Sequence, residues 1–481
     1  MQKKLYKKLI SIALGCISVS AVYAQKQDTA LVLGQPWSLQ QCIAYAWQNN
    51  IQVKQAEISQ KMAKNTQTGS KANLLPSVSG FADHVYNDGR TIDPFTNTFA
   101  TSQVLSEDFY VSATFTVFGG FQNINTIKED KANYKASTYD LQVSKNNIAL
   151  NIASGYLQVL LDVELLAEAK NQHDVTLQQV EHTQKLVDAG GLARSNLLDV
   201  ESQEANDEVN EINAQNQLDL ANLALAQMLD IDSTQLLKIL KPELNIPDNA
   251  VLDAPEQVYA KALTTQPDIQ SAETKWESAE SAKQVAAGAM YPKLQLTGSM
   301  GTGYSGSDAS TSIILANETI VTNYGPLTLY DQPQESEGPV IPWSKQLSDN
   351  FNQSFGLRLN VPIFNGLQSH VAWQNAKLNA QNSFYNYQNA EMTLRKNIQQ
   401  AYADALGALK RYHALQKAEV SLKESYNYTK SKFDVGMATS LDYNTAQTNL
   451  AKAESDLLQA KYNFVFKVKV LDFYEGKPLN L

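Results

Sequence analysis

Few residues in this chain have the types and spacing that covalent chemistry needs. Gly301, Gly303 and Gly306 match the GxGxxG pattern of a dinucleotide site. That pattern works only with a strand before it and a helix behind it, whose N-terminus carries the pyrophosphate. Here Ser, Asp and Thr follow, so the glycines read as a strand end running into a loop. His84, His173, His182, His370 and His413 form no HExxH and no Cys/His cluster. His173 and His182 are nine residues apart, off any metal-ligand spacing. There is no G-x-S-x-G, no P-loop and no pair of acids in a defined pocket. The residues point to no enzyme, no cofactor and no metal.

The chemistry must then lie in surfaces, and composition narrows which. The 481 residues carry 39 Lys and Arg against 49 Asp and Glu, a net charge of −10. A nucleic-acid partner needs a basic face, so this balance argues against one. A hydrophobic content of 43% excludes a wholly disordered chain. Only 14 Pro and 22 Gly exclude a collagen or low-complexity protein. Cys16 and Cys42 are too few for a disulfide scaffold or a Cys-based zinc site.

The first residues set the compartment. Lys3, Lys4, Lys7 and Lys8 precede an apolar stretch from Leu9 to Val22, and Val22-Tyr23-Ala24 offers a cleavage site. Residues 1–24 read as a secretory signal peptide. Cys16 lies inside the apolar stretch, where Leu14 fits a lipoprotein box poorly. Cys42 falls in an apolar helical pattern with Ile43 and Tyr45 and reads as a small core residue. No later segment has about 18 uninterrupted apolar residues, the length of a membrane-crossing helix. A β-barrel escapes that test, because its strands are only about 10 residues of alternating character.

The remainder is written twice. A shift of 246 residues superposes Phe118 on Phe364, Gly120 on Gly366, Tyr156 on Tyr402, Asp188 on Asp434 and Gly190 on Gly436. The earlier part of each half matches at a shift of 216, as in Ala44/Ala260 and Pro76/Pro292. The difference, 246 − 216 = 30, is an insertion in the second half between Pro292 and Phe364. A surface loop is expected there. The repeats divide the chain into residues 25–245 and 246–481.

Each repeat has the same order of periods. A helical stretch opens it, about 38–73 and 255–290. Alternation follows, with Phe109, Val111, Ala113, Phe115 and Val117 in one half and Phe355, Leu357, Leu359, Val361 and Ile363 in the other. Such alternation marks half-buried strands. Weaker partners at about 76–86 and 292–304 make two hairpins, with long loops at about 87–108 and 305–351. Very long proline-free helices then cover about 121–188 and 367–434. At 1.5 Å per residue each spans about 100 Å. Ile152, Val159, Leu166, Val180 and Val187 form a heptad stripe, with His173 at the missing step, which argues for coiled-coil packing. Gly190-Gly191 and Gly436 break these helices, and further helices follow at about 195–229 and 440–473. Four strands cannot close a barrel, and open edges are not tolerated in a bilayer. The chain must share a barrel with copies of itself; three copies give 12 strands.

This order resembles the TolC family of outer-membrane efflux proteins. The resemblance rests on the duplication and on Trp37-Ser-Leu-Gln-Gln-Cys-Ile-Ala-Tyr-Ala. It rests also on Leu75-Pro76-Ser, Tyr291-Pro292-Lys, Val361-Pro-Ile-Phe-Asn-Gly366 and Gly190-Gly-Leu-Ala-Arg-Ser-Asn196. Thr116 stands where the family has proline. The resemblance implies a mixed α/β membrane protein, a homotrimer. Its 12-stranded β-barrel, four strands per chain, continues into an α-helical coiled-coil tunnel across the periplasm. It implies a passive duct in the outer membrane of a Gram-negative bacterium, in contact with outer-membrane lipid. The duct docks on a periplasmic adaptor and an inner-membrane RND or ABC pump, for efflux or type I secretion.

The resemblance also implies where the mechanism sits. The breaks become periplasmic tips, so Gly190, Gly191, Leu192, Gly436 and Met437 meet the adaptor. The family's constriction aspartate maps to Asp442, and its second acidic position to Thr445. The matching first-half position is Asn196. The tyrosine and arginine that latch neighbouring hairpins map to Phe433 and Ala438, which cannot make those bonds, and Arg194 is the candidate substitute. Three copies of Asp442 would form a cation-selective ring; alternatively, Asp442 is a solvated helix-start residue favoured by the dipole. A non-conducting coiled-coil surface protein is the competing reading, but it needs no duplicated amphipathic hairpins. An uptake porin needs no helices of such length.

Overall fold

The computed structural model describes residues 36–92, 97, 99–100, 103–231, 238–242, 246, 252–314, 317–330 and 334–481. The signal peptide and Cys16 lie outside the described residues. Helices α1 (Leu39–Asn49) and α2 (Ile51–Ala72) open the first half. Strands β1 (Ser77–Asn87), β2 (Thr91–Ile92), β3 (Phe99–Ala100) and β4 (Val104–Gly119) follow. Then come α3 (Gln122–Asp188) and α4 (Arg194–Met228). The second half repeats this with α5 (Pro255–Thr265), α6 (Pro267–Gly288) and β5 (Lys293–Ser305). The inserted region holds β6 (Ala309–Ile314), β7 (Asn317–Thr322), β8 (Gly325–Tyr330), β9 (Gln334–Val340) and α7 (Trp343–Asp349). Strand β10 (Asn352–Asn360), α8 (Gln368–Asp434) and α9 (Ser440–Tyr474) complete the chain.

The long helices agree with the expected bounds to within a residue. Both α3 and α8 have 67 residues, and both α4 and α9 have 35. Three expectations need correction. The opening helix of each half is two helices. Asn50 caps α2 through Gln52 N–H (2.9 Å), and Pro267 starts α6 as its first residue. Strand β10 stops at Asn360, short of Val361 and Ile363, because Pro362 has no N–H to give a ladder. The regions 87–108 and 305–351 are no plain loops: in the first β2 pairs with β3 and β4 already begins at Val104, and in the second β6 pairs with β9, β7 with β8, and α7 follows.

The two expected hairpins are joined. β4 of the first half pairs with β5 of the second, giving one antiparallel sheet in the order β1-β4-β5-β10. Its register sorts residues by face. One face carries the rows Val78–Ala113–Gly298–Phe355 and Phe115–Leu296–Leu357. The other carries Ser79–Ser112–Ser299–Ser354 and Thr116–Gln295–Arg358. Serine hydroxyls bond across strands, Ser79 to Ser112 at 3.2 Å and Ser299 to Ser354 at 2.7 Å. Phe355, Leu357 and Leu359 are exposed on the apolar face. Gly301, of the GxGxxG match, lies within β5, where the Tyr110 ring covers it. A Cβ there would come 2.4 Å from that ring, so the glycine serves packing.

The main core gathers where α1 crosses α3 and α4. Trp37, Cys42, Ile152, Tyr156, Val159, Leu225 and Leu229 are buried there, and Tyr156 Oη donates to Trp37 O at 3.0 Å. Cys42 is fully buried, as its pattern implied, and burial pushes its thiol up to about 12. A window of α3 is long and apolar enough to cross a membrane, but half of it is buried within the chain. The heptad stripe is buried at Ile152, Val159 and Leu166. Below that the buried positions become Thr176, Gln179 and Thr183, while Val180 and Val187 are half-buried. An α-helix drifts about 20° per heptad, so three heptads move the seam to a new row.

Candidate functional site

The paired turns at the far end of the helices are built from one backbone design. Gly190 N–H bonds to Val187 O (2.9 Å) and Gly191 N–H to Leu186 O (2.8 Å). Gly436 N–H bonds to Phe433 O (2.9 Å) and Met437 N–H to Lys432 O (2.7 Å). This double closure of the last helical carbonyls is a Schellman motif. Its C′ residue must be left-handed, and Gly190 and Gly436 both have φ of +76°.

The side chains on the two turns differ. In the first, Ala193 precedes α4 and gives no side-chain cap. Arg194 is exposed at the first residue of α4, and Leu192 and Asn196 are half-buried. In the second, Thr439 caps α9. Its Oγ1 accepts from Asp442 N–H (3.1 Å), while Thr439 N–H and Oγ1 donate to Asp442 Oδ2 at 3.1 and 2.7 Å. Asp442 is therefore the acidic member of a capping box, and it is exposed. Thr439 holds the Asp442 carboxyl below the usual carboxylate value. Thr445 is also exposed and returns its hydroxyl to Leu441 O (2.7 Å). Val435, Met437 and Leu441 stand 69%, 77% and 73% exposed, an apolar knob on the second turn. The matching first-turn positions are Ala189, Gly191 and Ser195.

Phe433 is buried and stacks on Tyr443 with ring centroids 5.1 Å apart. Tyr443 Oη lies 3.0 Å from Tyr426 Oη, and burial pushes the Tyr443 phenol up. These aromatics bind α8 to α9. Tyr462 of α9 joins the main core with Tyr156 and Leu160 of α3, and toward the turns the hairpins α3/α4 and α8/α9 are linked by polar bonds. Ser440 Oγ donates to Asp199 Oδ2 at 3.1 Å, and Gln447 Nε2 to Thr176 Oγ1 at 2.9 Å. Thr176 in turn donates to Asp207 Oδ2 at 2.7 Å, and Asp207 is buried. Further up, Tyr462 Oη donates to Glu164 Oε1 at 2.6 Å.

Arg194 and Asn196 thus lie on the first turn, Asp442 and Thr445 on the second. Sequence reasoning missed Ser440 and Asp199, which join the two. The repeat held a signal for them: Asp199 is the first-half counterpart of Thr445, and Ser440 of Arg194. Among the described residues no group of His, Cys, Asp and Glu could hold a metal ion.

A family model described as outer membrane efflux protein matches residues 43–230 and 258–473. Outer membrane protein TolC of Escherichia coli K12 is 23% identical over 466 residues, covering 95% of this chain and 84% of that one. Among solved structures, a CusC structure described as showing transmembrane channel formation superposes with TM-score 0.73 at 17% identity. It covers 93% of this chain and 94% of its own. The outer membrane protein VceC of Vibrio cholerae superposes with TM-score 0.72 at 15% identity, covering 92% and 96%.

Proposed function

The chain belongs to the outer membrane efflux protein family, and from that premise we propose that it is the exit duct of a tripartite efflux or type I secretion system. It is an outer-membrane protein of Gram-negative bacteria that extends into the periplasm. Its family transports; it does not catalyse. The single observation that carries the duct reading is the sheet. One face is apolar and the other is rowed with serine and threonine, as a wall between lipid and water requires. Helices about 100 Å long continue from that wall.

Three copies would close a 12-stranded barrel, since among the described residues β1 and β10 each pair on one side only. Cargo would pass without energy input from this chain. The turns at Gly190-Gly191-Leu192 and Gly436-Met437 would meet a periplasmic adaptor, coupled to an inner-membrane RND or ABC pump. The apolar knob of Val435, Met437 and Leu441 supports docking at the second turn. Three copies of Asp442 would ring the entrance, with Thr445, Asn196 and Arg194 beside them. An exposed carboxyl whose pKa is held low supports a charged ring. With Phe433 buried against Tyr443, the Ser440–Asp199 bond supplies a link between the hairpins, the role for which Arg194 was the candidate.

The test is single-channel conductance of detergent-purified protein in a planar bilayer, wild type beside Asp442→Ala. Small cation-selective openings that lose selectivity in the variant support the ring. Unchanged conductance keeps the duct and moves the constriction elsewhere. A folded, inserted trimer with no conductance overturns the duct.

A further inference from the structure

The duplication supplies a template for a contact that the chain makes once where its symmetry calls for two. α6 lies between two long helices. Toward α8 it places Trp276 on Phe384, with ring centroids 5.0 Å apart. Toward α3, Ser271 Oγ donates to Asp140 Oδ1 at 2.6 Å, and Lys275 Nζ lies 2.9 Å from Asp140 Oδ2. Ser278 Oγ donates to Asn133 Oδ1 at 2.7 Å. At the shift of 216, α2 is the counterpart of α6, and it keeps the first of these neighbours. Gln60, the counterpart of Trp276, donates at 3.1 Å to Thr138 of α3, the counterpart of Phe384. Among the described residues no long helix packs along the other side of α2.

Burial shows both halves of the missing contact. Pro267, Ser271, Thr274 and Ser278 are buried on α6. Their counterparts on α2 are Ile51, Gln55, Ile58 and Met62, which share one helical face. All four are exposed, Ile51 at 62%, Ile58 at 56% and Met62 at 64%. On α3, Ala132 and Ala136 flank Asn133 and are buried. Their counterparts on α8 at the shift of 246, Leu378 and Asn382, are exposed, Leu378 at 61%. At the head of the in-chain contact, a Cβ on Gly120 would strike the Gly288 carbonyl, whereas its counterpart Gly366 has nothing within 4 Å.

We propose that α2 of one copy packs along α8 of a second copy, in the place and register that α6 takes against α3 within the chain. The proposal rests on the shared-barrel reading and assigns the helical surface that joins the copies below the barrel. The two faces differ, so the contact is head-to-tail, the kind that closes copies into a ring. Repeat equivalence sets the pairs. Gln55 meets Asn386 where Ser271 meets Asp140, and Met62 meets Asn379 where Ser278 meets Asn133. Ser59 stands where Lys275 does, so the ion pair to Asp140 has no equivalent between copies. Ile51, Ile58, Met62 and Leu378 bring apolar area instead, which drives association without a covalent link. The same helix-on-helix unit is thus polar inside the chain and apolar between chains.

The experiment is cysteine crosslinking of the full chain in detergent, beside its mass by light scattering. Cys42 is fully buried and stays in every variant. Gln55→Cys with Asn386→Cys should oxidise to two-chain and three-chain species on a denaturing gel, and each single variant should run as one chain. Gln55→Cys with Asn379→Cys moves the second thiol seven residues, about 10 Å, along α8. That exceeds the reach of a disulfide, and this pair should not link. Ile58→Asp and Leu378→Asp each put a charge into the apolar contact and should turn the oligomer into monomer, with helical circular dichroism kept. An oligomer that links at neither pair, or equally at both, overturns the seam and leaves the shared barrel standing. So does an oligomer that survives both aspartate variants. A wild-type chain that is monomeric after extraction from membranes overturns the shared barrel itself.

Discussion

The two hairpins share a backbone and differ in how they are fastened. Their helices have equal lengths, and their turns have the same φ at the same glycine. The first hairpin is held by directional bonds. His173 reaches two acids of α4, and buried Asp207 accepts from Thr176 (2.7 Å) and Gln203 (2.9 Å). The second is held near its turn by the rings of Phe433, Tyr443 and Tyr426, and by a capped α9. Duplication preserved what the main chain requires and let the side-chain fasteners diverge. Directional bonds fix one arrangement, whereas stacked rings let two helices move as a unit.

Breaking the first fastener should cost most. Asp207→Leu removes the buried charged acceptor shared by Thr176 and half-buried Gln203 and should remove about 3 kcal/mol, read as earlier thermal unfolding. The second hairpin's counterpart, Tyr443→Phe, loses one hydroxyl contact and should cost about 1 kcal/mol or less. Equal losses would erase the distinction. Gly436→Val and Gly190→Val force a β-branched residue into left-handed backbone and should each cost about 2 kcal/mol, equally in both turns. Hydrogen exchange at the turn amides would report unequal costs. Thr439→Ala should fray α9 by about 1 kcal/mol, and Ala193→Thr should firm α4 by a similar or smaller amount. Together they would reverse the asymmetry in first-turn protection. The smallest effect should be the pH response of the isolated α3–α4 contact. Protection there should fall as pH rises above 6.5, and His173→Gln should abolish that fall.

Most of this architecture was legible because long helices and broken repeats are local signals. Gly190 and Gly436 mark the turns from sequence alone, since left-handed backbone selects glycine. The breaks at Asn50 and Pro267 carry local signals too, a side-chain cap and a first-turn proline, but the helical period continues across both and masks them. The ladders β6–β9 and β7–β8 hid in a Ser/Thr-rich stretch that composition presents as loop. The join of β4 to β5 could not be read, because pairing across a duplication leaves no local mark. The same holds for Ser440 and Asp199, 241 residues apart. For Asp442, the sequence allowed a ring residue and a helix-start residue. The capping box accounts for its position at the start of α9 by itself.

The bare edges of β1 and β10 bear on how such a protein is made. Among the described residues this four-stranded sheet leaves two edge rows of amide groups without a strand partner, and hydrocarbon offers them nothing. If copies share one barrel, as proposed, a lone chain cannot leave water for the bilayer. Membrane insertion then waits on encounter between chains, so its rate should rise steeply with local concentration. On that reading, each copy presents adhesive strand edges until the others arrive.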